Sequence, residues 1–512
     1  MDSLENDDQL TIVNRSTEHR ISKKLIRKIP YFEKMLSHNL KESKENKVEL
    51  DFDEQTFQII FDWAASNYNF IMIEMDYIMG LCELADYFGL DWISKQCITY
   101  FDDNFSIEHL PFVIPKINVT SKCINSGALN AFICRYFLKL ANTIFWFEYP
   151  IETIEYICAL DLMIYSEYQV FEVIMRWINI KADSRKCHLE GLLKLVRWCH
   201  LNEEDLSKIK ENELLKSSGL EPIFCAPRKV NCDCIFNRTK QNFFIMIEEL
   251  DSRGLQINVL DNNFKQLVSQ VIQEDASISS NLFHDEHISD ITYNSGMTAI
   301  RIDWKQNKYK YIAPFVSYIQ VKKWLTKLQQ GDPFTANHGL PGEIRNGFLL
   351  LEAAKHFIPI YIENSCLRLL SGTIYENYKD FHQISQYKAT LVDNRIYLLS
   401  DGNLCEYVFA QSTFFRLDNV KLNWSHRIQE FRFEYSLLTS SPAGDKIILI
   451  DKYTKNYICI DLNTKRKSKG RMISYCYADG QKESKTLLTL TSAFLPLTTI
   501  RTCLNSKSNS DK

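Results

Sequence analysis

The spacing of apolar residues changes along this chain of 512 residues, and that change constrains the fold more than any single motif. Up to about residue 216, apolar residues recur at intervals of three and four, the period of amphipathic helices. Beyond about residue 230 they form short β-rich runs separated by turn residues, and successive runs begin about 45 residues apart. The sequence therefore predicts a multidomain α+β protein whose C-terminal half is all-β.

Residues 77–101 predict two helices in a tight hairpin. Gly89 provides the left-handed conformation that ends a helix, and Asp91 stands where a side chain can cap the next one. The apolar stripe of the first helix consists of Ile78, Leu81, Leu84, Ala85 and Phe88.

The segment upstream supplies a set of short strands and helices in a recognisable order. Its predicted elements are a strand at 9–13, a helix at 23–28 capped by Ser22, a Pro-Tyr-Phe segment at 30–32, a strand at 48–52 and a helix at 56–64. With the Ala-Asp-Tyr-Phe-Gly-Leu run of the hairpin, residues 8–102 resemble a BTB/POZ domain. The resemblance implies an α/β fold.

Residues 104–216 predict helices throughout. The run VFEVIMRWINIKADSRKCHLEGLLKLVRW, which begins at Val170, is similar to the BACK domain that follows BTB in kelch-type adaptors. This resemblance implies an all-α module that holds two other domains apart, with a core formed by Val170, Phe171, Ile174, Met175 and Trp177.

The β-rich part follows a linker at 217–235. Residues 236–500 resemble a degenerate kelch-like propeller of five or six blades, although the diglycine of kelch repeats is missing from every candidate blade. A β-sandwich is the alternative that strand patterns leave open. The polar residues 505–512 predict a disordered tail.

Composition and motifs argue against catalysis, cofactors and several classes of partner. Nucleotide-binding, acyl-transfer and zincin signatures are missing from the sequence, so we expect no enzyme and no cofactor. The 60 basic and 64 acidic residues nearly balance, which does not favour nucleic acid or a membrane surface. The acidic N-terminus does not resemble a signal peptide, and the expected compartment is the cytoplasm, with the nucleus as an alternative.

Three further segments carry residue types that can bind a metal ion or an anion. Cys225, Cys232 and Cys234 lie close in sequence but lack a fourth zinc ligand nearby, so no metal is expected. His284 and His287 are interpreted as part of a solvated loop. The basic run 465–471 is interpreted as an exposed interblade loop, with a nuclear-import signal or an anion-binding patch as alternatives.

The BTB resemblance implies a binding surface for the cullin-3 scaffold of a RING ubiquitin ligase. In this family an apolar residue and a glutamate after the third helix contact cullin, and Leu40 and Glu42 occupy those positions in the segment NLKES. The alternative is that Leu40 packs within its own domain. A second cullin contact is predicted at Phe105 and Leu110, although Pro111 and Pro115 interrupt the helix expected there.

The whole sequence therefore predicts a substrate adaptor of a cullin-3 ubiquitin ligase. The BTB domain would bind cullin, and the β-rich half would bind a target protein that one sequence cannot identify. The alternative is a scaffold, cytoskeletal or transcriptional, that uses the same modules without a ligase. Only about eight residues precede the first strand, so homodimerisation through a leading helix is doubtful.

Overall fold

The computed structural model describes most of the chain, in stretches. These are residues 8–38, 40–66, 70–221, 237–250, 254–281, 283–312, 348–352, 357–363, 366–369, 387–392, 395–400, 402–409, 420–428, 430–472 and 485–510. The chain divides into two compact units, residues 1–130 and residues 131–512. Among the described helices, none is long and apolar enough to cross a membrane.

The first unit has a small mixed sheet surrounded by helices. Its elements are β1 (Gln9–Asn14), β2 (Thr17–Ser22), α1 (Lys23–Ile26), α2 (Pro30–Ser37), α3 (Lys41–Glu45), β3 (Lys47–Leu50), α4 (Glu54–Ala65), α5 (Ile78–Tyr87), α6 (Asp91–Asn104) and α7 (Leu110–Val113). Strand β1 lies in the centre of the sheet, antiparallel to β2 and parallel to β3. Residues 1–7, on which the dimerisation prediction depends, lie outside the described residues.

Helix ends in this unit follow from local chemistry. Ser22 accepts a hydrogen bond from the Lys24 amide at 3.3 Å, which confirms the predicted cap of α1. Gly89 has a φ of 73°, the left-handed conformation expected after α5. The prediction for Asp91 is wrong: the N-cap of α6 is Leu90, and Asp91 is the first helical residue, where its negative charge favours the helix dipole.

Aromatic packing holds the helices of this unit together. All five residues of the predicted α5 stripe are buried. Phe88 lies at the centre of a ring cluster, with its ring centroid 5.4 Å from that of Phe32 and 6.5 Å from that of Phe57. The core of this unit is therefore apolar.

The segment after α6 is less regular than predicted. It forms 3-10 turns at Ile107–His109 and Ile114–Lys116 on either side of the one-turn helix α7, and residues 117–125 are not helical. Pro111 and Pro115 each stand in the first turn of a short element, where the missing N–H costs nothing. The expectation of helix throughout 104–216 is wrong for this stretch.

A bundle of helices follows, and the division between the two units falls within its first helix, α8. The helices are α8 (Ser126–Leu140), α9 (Phe145–Glu148), α10 (Ile151–Ala159), α11 (Glu167–Ile180), α12 (Ala182–Arg185), α13 (Leu189–Leu193), α14 (Glu203–Lys210) and α15 (Glu213–Ser218). The predicted core residues Val170, Phe171, Ile174, Met175 and Trp177 are all buried on α11. We refer to residues 131–218 as the helical domain.

The remaining described chain is mostly strand. The strands are β4 (Asn242–Leu250), β5 (Leu255–Leu260), β6 (Gln266–Glu274), β7 (Ile288–Tyr293), β8 (Thr298–Asp303), β9 (Lys308–Ile312), β10 (Phe348–Glu352), β11 (Phe357–Glu363), β12 (Cys366–Leu369), β13 (Tyr387–Val392), β14 (Arg395–Ser400), β15 (Asn403–Phe409), β16 (Val420–Arg427), β17 (Ser436–Ser440), β18 (Lys446–Asp451), β19 (Asn456–Asp461), β20 (Lys467–Arg471) and β21 (Lys485–Phe494).

These strands form a degenerate propeller of five blades among the described residues. The blades are β21-β4-β5-β6, β7-β8-β9, β10-β11-β12, β13-β14-β15-β16 and β17-β18-β19-β20. The C-terminal strand β21 completes the first blade by pairing with β4, and it packs beside the first strands of two other blades, β7 and β17. A short parallel pairing of β6 with β9 joins the first two blades into one seven-stranded sheet. The arrangement is that of a ring of blades rather than a sandwich.

Aspartates organise several blade turns in place of the missing diglycines. Oδ1 of Asp303, Asp451 and Asp461 each accepts hydrogen bonds from backbone amides two and three residues later. Four residues after each aspartate, Asn307, Lys455 or Lys465 has a positive φ of 56–57°. The sequence pattern Asp-x-x-polar-Lys/Asn thus identifies these hairpin turns, and it repeats in blades that lack the diglycine.

The C-terminal end of the chain differs from two predictions. Helix α16 (Leu497–Ser510) includes residues 505–510, where the sequence predicted a disordered tail. The basic run 465–471 is not an interblade loop, because residues 467–471 form the outermost strand of the fifth blade. That strand is exposed, and Lys469 Nζ lies 3.1 Å from a Glu430 carboxylate oxygen.

Buried polar contacts fasten the propeller to the helical domain. Arg238 and Glu167 form a two-pronged ion pair at 2.7 and 2.8 Å, and neither side chain is accessible to solvent. Arg238 also donates to the carbonyls of Cys158, Leu160 and Leu195. We call this Arg238–Glu167 ion pair the clasp. Because a charge removed from water needs a well-placed partner, the clasp fixes the position of Arg238, just before β4, against α11.

Candidate partner-binding site

Leu40 and Glu42 lie on the surface of the first unit. Leu40 is the N-cap residue of α3, and 47% of its surface is exposed, which is high for a leucine. Glu42, in the first turn of α3, is also exposed. The alternative that Leu40 packs within its own domain is not what the structure shows.

Two tyrosines pack against each other, and one of them, Tyr31, lies near Glu42. The ring centroids of Tyr31 on α2 and Tyr87 on α5 are 5.2 Å apart, and half of Tyr87 is exposed. Burial, a hydrogen bond with Tyr87, the Tyr87 charge and the nearby charge of Glu42 raise the pKa of Tyr31 to about 12. Its hydroxyl therefore stays protonated near neutral pH, close to the exposed carboxylate of Glu42.

We name Tyr31, Leu40, Glu42 and Tyr87 the α2–α3 surface. An exposed apolar anchor flanked by aromatic and charged groups is the usual composition of a protein-binding hot spot. The sequence identified Leu40 and Glu42, but it missed both tyrosines. Tyr87 belongs to the Ala-Asp-Tyr-Phe-Gly-Leu run, yet its position beside α2 depends on how α5 packs.

Phe105 and Leu110 do not belong to any exposed surface. Phe105 is 1% exposed and Leu110 is fully buried, so both side chains are part of the core of the first unit. The prediction that they contact a partner is therefore corrected, because such contact would require them to leave that core. In the same segment it is Phe112, on α7, that is exposed, at 57%.

The other segments considered in the sequence provide no second site where the structure describes them. His284 is mostly buried, with Nε2 3.7 Å from Oδ2 of Asp290, so the expectation of a solvated loop is wrong for it. Among the described residues, no group of His, Cys, Asp or Glu side chains is arranged to hold a metal ion. Cys225, Cys232 and Cys234 lie outside the described residues.

The fold thus defines a class of protein: an α/β domain, a helical domain and a propeller in sequence. Family comparisons agree with that order. The sequence model of the BTB/POZ domain matches residues 11–105, and that of the BACK domain, "BTB And C-terminal Kelch", matches residues 126–211.

Curated relatives carry the same family name. Kelch-like protein 6 of Homo sapiens is 23% identical over 169 residues, 33% of this chain and 27% of the relative. Kelch-like protein 28 of Mus musculus is 27% identical over 191 residues, 36% and 33% of the two chains. Kelch-like protein 40 of Xenopus laevis is 24% identical over 191 residues, 36% and 31% of the two chains. The match thus spans about a third of the length of these relatives.

The chain therefore has a BTB/POZ domain followed by a BACK domain, and over that part of its length it is similar to kelch-like proteins. Solved structures add nothing to that assignment. Apo AztD from Citrobacter koseri, for example, is 10% identical over 46% of this chain and 72% of its own, with a TM-score of 0.18.

Proposed function

We propose that this protein is a substrate adaptor of a cullin-3 RING ubiquitin ligase. The BTB domain binds the cullin scaffold through the α2–α3 surface, and the propeller binds the protein to be modified. The observation that carries the proposal is the exposure of Leu40 and Glu42 together, at the start of α3 in a domain matched as BTB/POZ.

In this proposal the adaptor makes and breaks no covalent bonds. It acts by raising the effective concentration of target lysines near the ubiquitin-conjugating enzyme that the ligase recruits. The target would contact loops at the rim of the propeller, since loops vary freely on a rigid scaffold. The expected compartment is the cytoplasm, with the nucleus as the alternative.

The test is the affinity of the purified full chain for the N-terminal domain of cullin-3. We expect the double variant Leu40→Asp/Glu42→Ala to weaken binding by at least about thirty-fold, the effect of removing a hot-spot anchor. Met72→Asp is the matched control, because Met72 is an exposed apolar residue of the same unit outside the α2–α3 surface. Equal binding by wild type and the double variant contradicts the proposed contact.

A scaffold without ligase activity is the second candidate, and one observation favours it. Phe105 and Leu110, the residues predicted to make the second cullin contact, are both buried. If the wild-type chain does not bind cullin-3 at micromolar concentrations, the scaffold is the better description. If it binds and Phe112→Asp weakens the complex, the exposed face of α7 contributes to the cullin contact.

A further inference from the structure

The strands of the propeller run between two rims, and one of these rims lies against the helical domain. Gln241, just before β4, donates from Nε2 to the Leu162 carbonyl at 2.9 Å. The next residue, Asn242, donates to the carbonyl of Pro442, just after β17, at 2.9 Å. The start of β4 and the end of β17 therefore lie on the side of the helical domain. The opposite ends of these strands belong to the other rim, which we call the distal rim.

A partly buried lysine lies on the distal rim between the fourth and fifth blades. Lys388, near the start of β13, donates from its ammonium group to the carbonyls of Phe433 and Ser436, at the start of β17. Its Nζ also lies 4.5 Å from the centroid of the Phe433 ring. Neutral oxygens thus use two of the three donors of this ammonium group. Among the described residues Lys388 forms no ion pair with a carboxylate.

A second lysine and two tyrosines extend this surface. The Lys452 amide donates to the Tyr435 carbonyl at 2.8 Å, and the ring centroid of Tyr435 lies 4.9 Å from that of Tyr453, which is 64% exposed. Burial and then the nearby charge of Lys452 lower the pKa of Lys388 to about 8, against the opposing charge of Glu434. Lys452, too, forms no ion pair in the part of the chain that the structure describes. We call Lys388, Tyr435, Lys452 and Tyr453 the basic patch.

The distal rim of the first two blades has the opposite charge. Strands β4 and β6 both end at this rim, because β5 runs antiparallel between them. Near those ends lie the exposed Glu249 and Glu274. Burial raises the pKa of Tyr311 on β9, and the nearby charges of the two glutamates raise it further. Tyr311 is 44% exposed, and neither glutamate forms an ion pair with a described residue. We call Glu249, Glu274 and Tyr311 the acidic patch.

A buried contact places the two patches on neighbouring blades. Lys455 lies in the same β18–β19 turn as Lys452, and its Nζ is 2.5 Å from Oε1 of Glu248, the residue before Glu249 in β4. The other oxygen of Glu248 accepts a hydrogen bond from Asn258 at 3.0 Å. The turn is therefore held against the first blade. Along the distal rim, the charge changes sign from the fifth blade to the first.

We propose that the distal rim binds an extended protein segment whose charge changes sign along its length. Carboxylates of the segment would lie against the basic patch, and its lysine or arginine side chains would lie against the acidic patch and the ring of Tyr311. Like charges held close together are unfavourable until a partner of opposite charge joins them. A nucleic acid fits less well, because its uniform negative charge is repelled by the acidic patch. The inference rests on the proposed function, since the segment would belong to the target protein.

The experiment is fluorescence anisotropy of labelled peptides of about 15 residues, which span about 50 Å when extended, with the full chain. One peptide has Glu alternating with Ser in its first half and Lys alternating with Ser in its second half, and another has the reverse order. The matched control peptide has the same composition with Glu and Lys mixed evenly. We expect at least one of the two segregated peptides to bind saturably, at least about ten-fold more tightly than the mixed peptide.

Substitutions locate the binding and separate it from the cullin contact. Lys452→Glu and Glu274→Lys should each weaken peptide binding about ten-fold or more, because each reverses the charge of one patch. Tyr453→Ala, at an exposed ring, should weaken it by a few fold. Lys265→Glu makes the same charge change in the β5–β6 turn, on the side of the helical domain, and should leave peptide affinity unchanged. All four variants should bind the N-terminal domain of cullin-3 as wild type does.

Three outcomes would overturn the inference. One is no binding of either segregated peptide at about 1 mM, which corresponds to only about 4 kcal/mol of affinity. Another is binding that the three rim variants leave unchanged, which would put the peptide elsewhere. The third is an all-Glu peptide or single-stranded DNA binding as tightly as the segregated peptides, which would leave the acidic patch without a role. If cullin-3 binds while the peptides do not, the inference fails and the proposed cullin contact stands.

Discussion

The two units of this protein use charge in opposite ways. In residues 8–130, the buried polar side chains among the described residues are Asn14, Thr56, Ser106 and Ser121, and none of them is charged. In residues 131–510 the buried set includes Glu167, Arg238, Glu248, Asp290, Arg301 and Glu406. The first unit thus keeps its charges at the surface, and the second places several inside.

The difference follows from how each unit is assembled. The first unit has one apolar core, and the ion pair Arg27–Glu33, for example, is exposed and adds little to stability. The second unit joins separate elements through ion pairs whose carboxylates are buried. Glu248 of the first blade reaches Lys455 of the fifth blade at 2.5 Å, and Glu406 of the fourth blade reaches Lys465, also of the fifth blade, at 3.1 Å. An unpaired buried charge is strongly unfavourable, so each pair selects one arrangement of its elements.

The largest effect that would test this comparison is expected from Glu167→Gln. The variant leaves Arg238 buried without a carboxylate, which costs about 3–5 kcal/mol. Hydrogen exchange of the α11 amides in the full chain should rise by two orders of magnitude or more, if they exchange through unfolding of this unit. Glu190→Gln, which breaks an exposed pair with Lys194 in the same domain, is the control. A loss no larger than that of the control would show that the clasp is dispensable.

A second, somewhat smaller effect is expected in the first unit from Leu110→Ala. Removing a fully buried leucine from an apolar core costs about 2–5 kcal/mol through lost contacts and a residual cavity. Phe112→Ala, two residues later on the exposed face of α7, should change stability by less than about 0.5 kcal/mol. Both stability changes are measured by urea unfolding of the full chain, monitored through the hydrogen exchange of amides in α5 and α6. Equal effects would mean that Leu110 is not a core residue.

The smallest effect concerns pH and should appear only in the second unit. Burial alone would raise the pKa of Asp290, but the hydrogen bonds and charge of Arg301, together with the nearby His284, hold that pKa well below its usual range. Its stabilising contribution is therefore complete above the unfolded-state pKa of about 3.9 and is lost as the pH falls below it.

This contribution changes by at most about 1.4 kcal/mol per pH unit. Amide exchange in β7 and β8, corrected for intrinsic rates, should show this loss of stability between pH 7 and pH 3 in wild type and a smaller loss in Asp290→Asn. Asp285→Asn, at an exposed aspartate nearby, is the control. If Asp290→Asn loses as much stability between pH 7 and pH 3 as wild type does, the Asp290–Arg301 pair does not contribute to stability in acid.

Local chemistry made much of the fold predictable. The stripe on α5, the cap at Ser22 and the left-handed Gly89 are properties of neighbouring residues, so spacing alone identifies them. The same holds for the α11 core and for strands that alternate with turn residues. Leu40 and Glu42 were identified through family resemblance, and the structure places them on the surface.

The sequence by itself therefore determined the order of the domains, their secondary structure and one candidate surface. The tertiary structure alone decided which apolar residues face solvent. Phe105, Leu110 and Phe112 are equally apolar in sequence, and only packing buries the first two. The tertiary structure also decided that β21 pairs with β4 and that Arg238 pairs with Glu167, 71 residues away in sequence. Such contacts join residues far apart in the chain, and local patterns carry no signal for them because their partners are set by the whole fold.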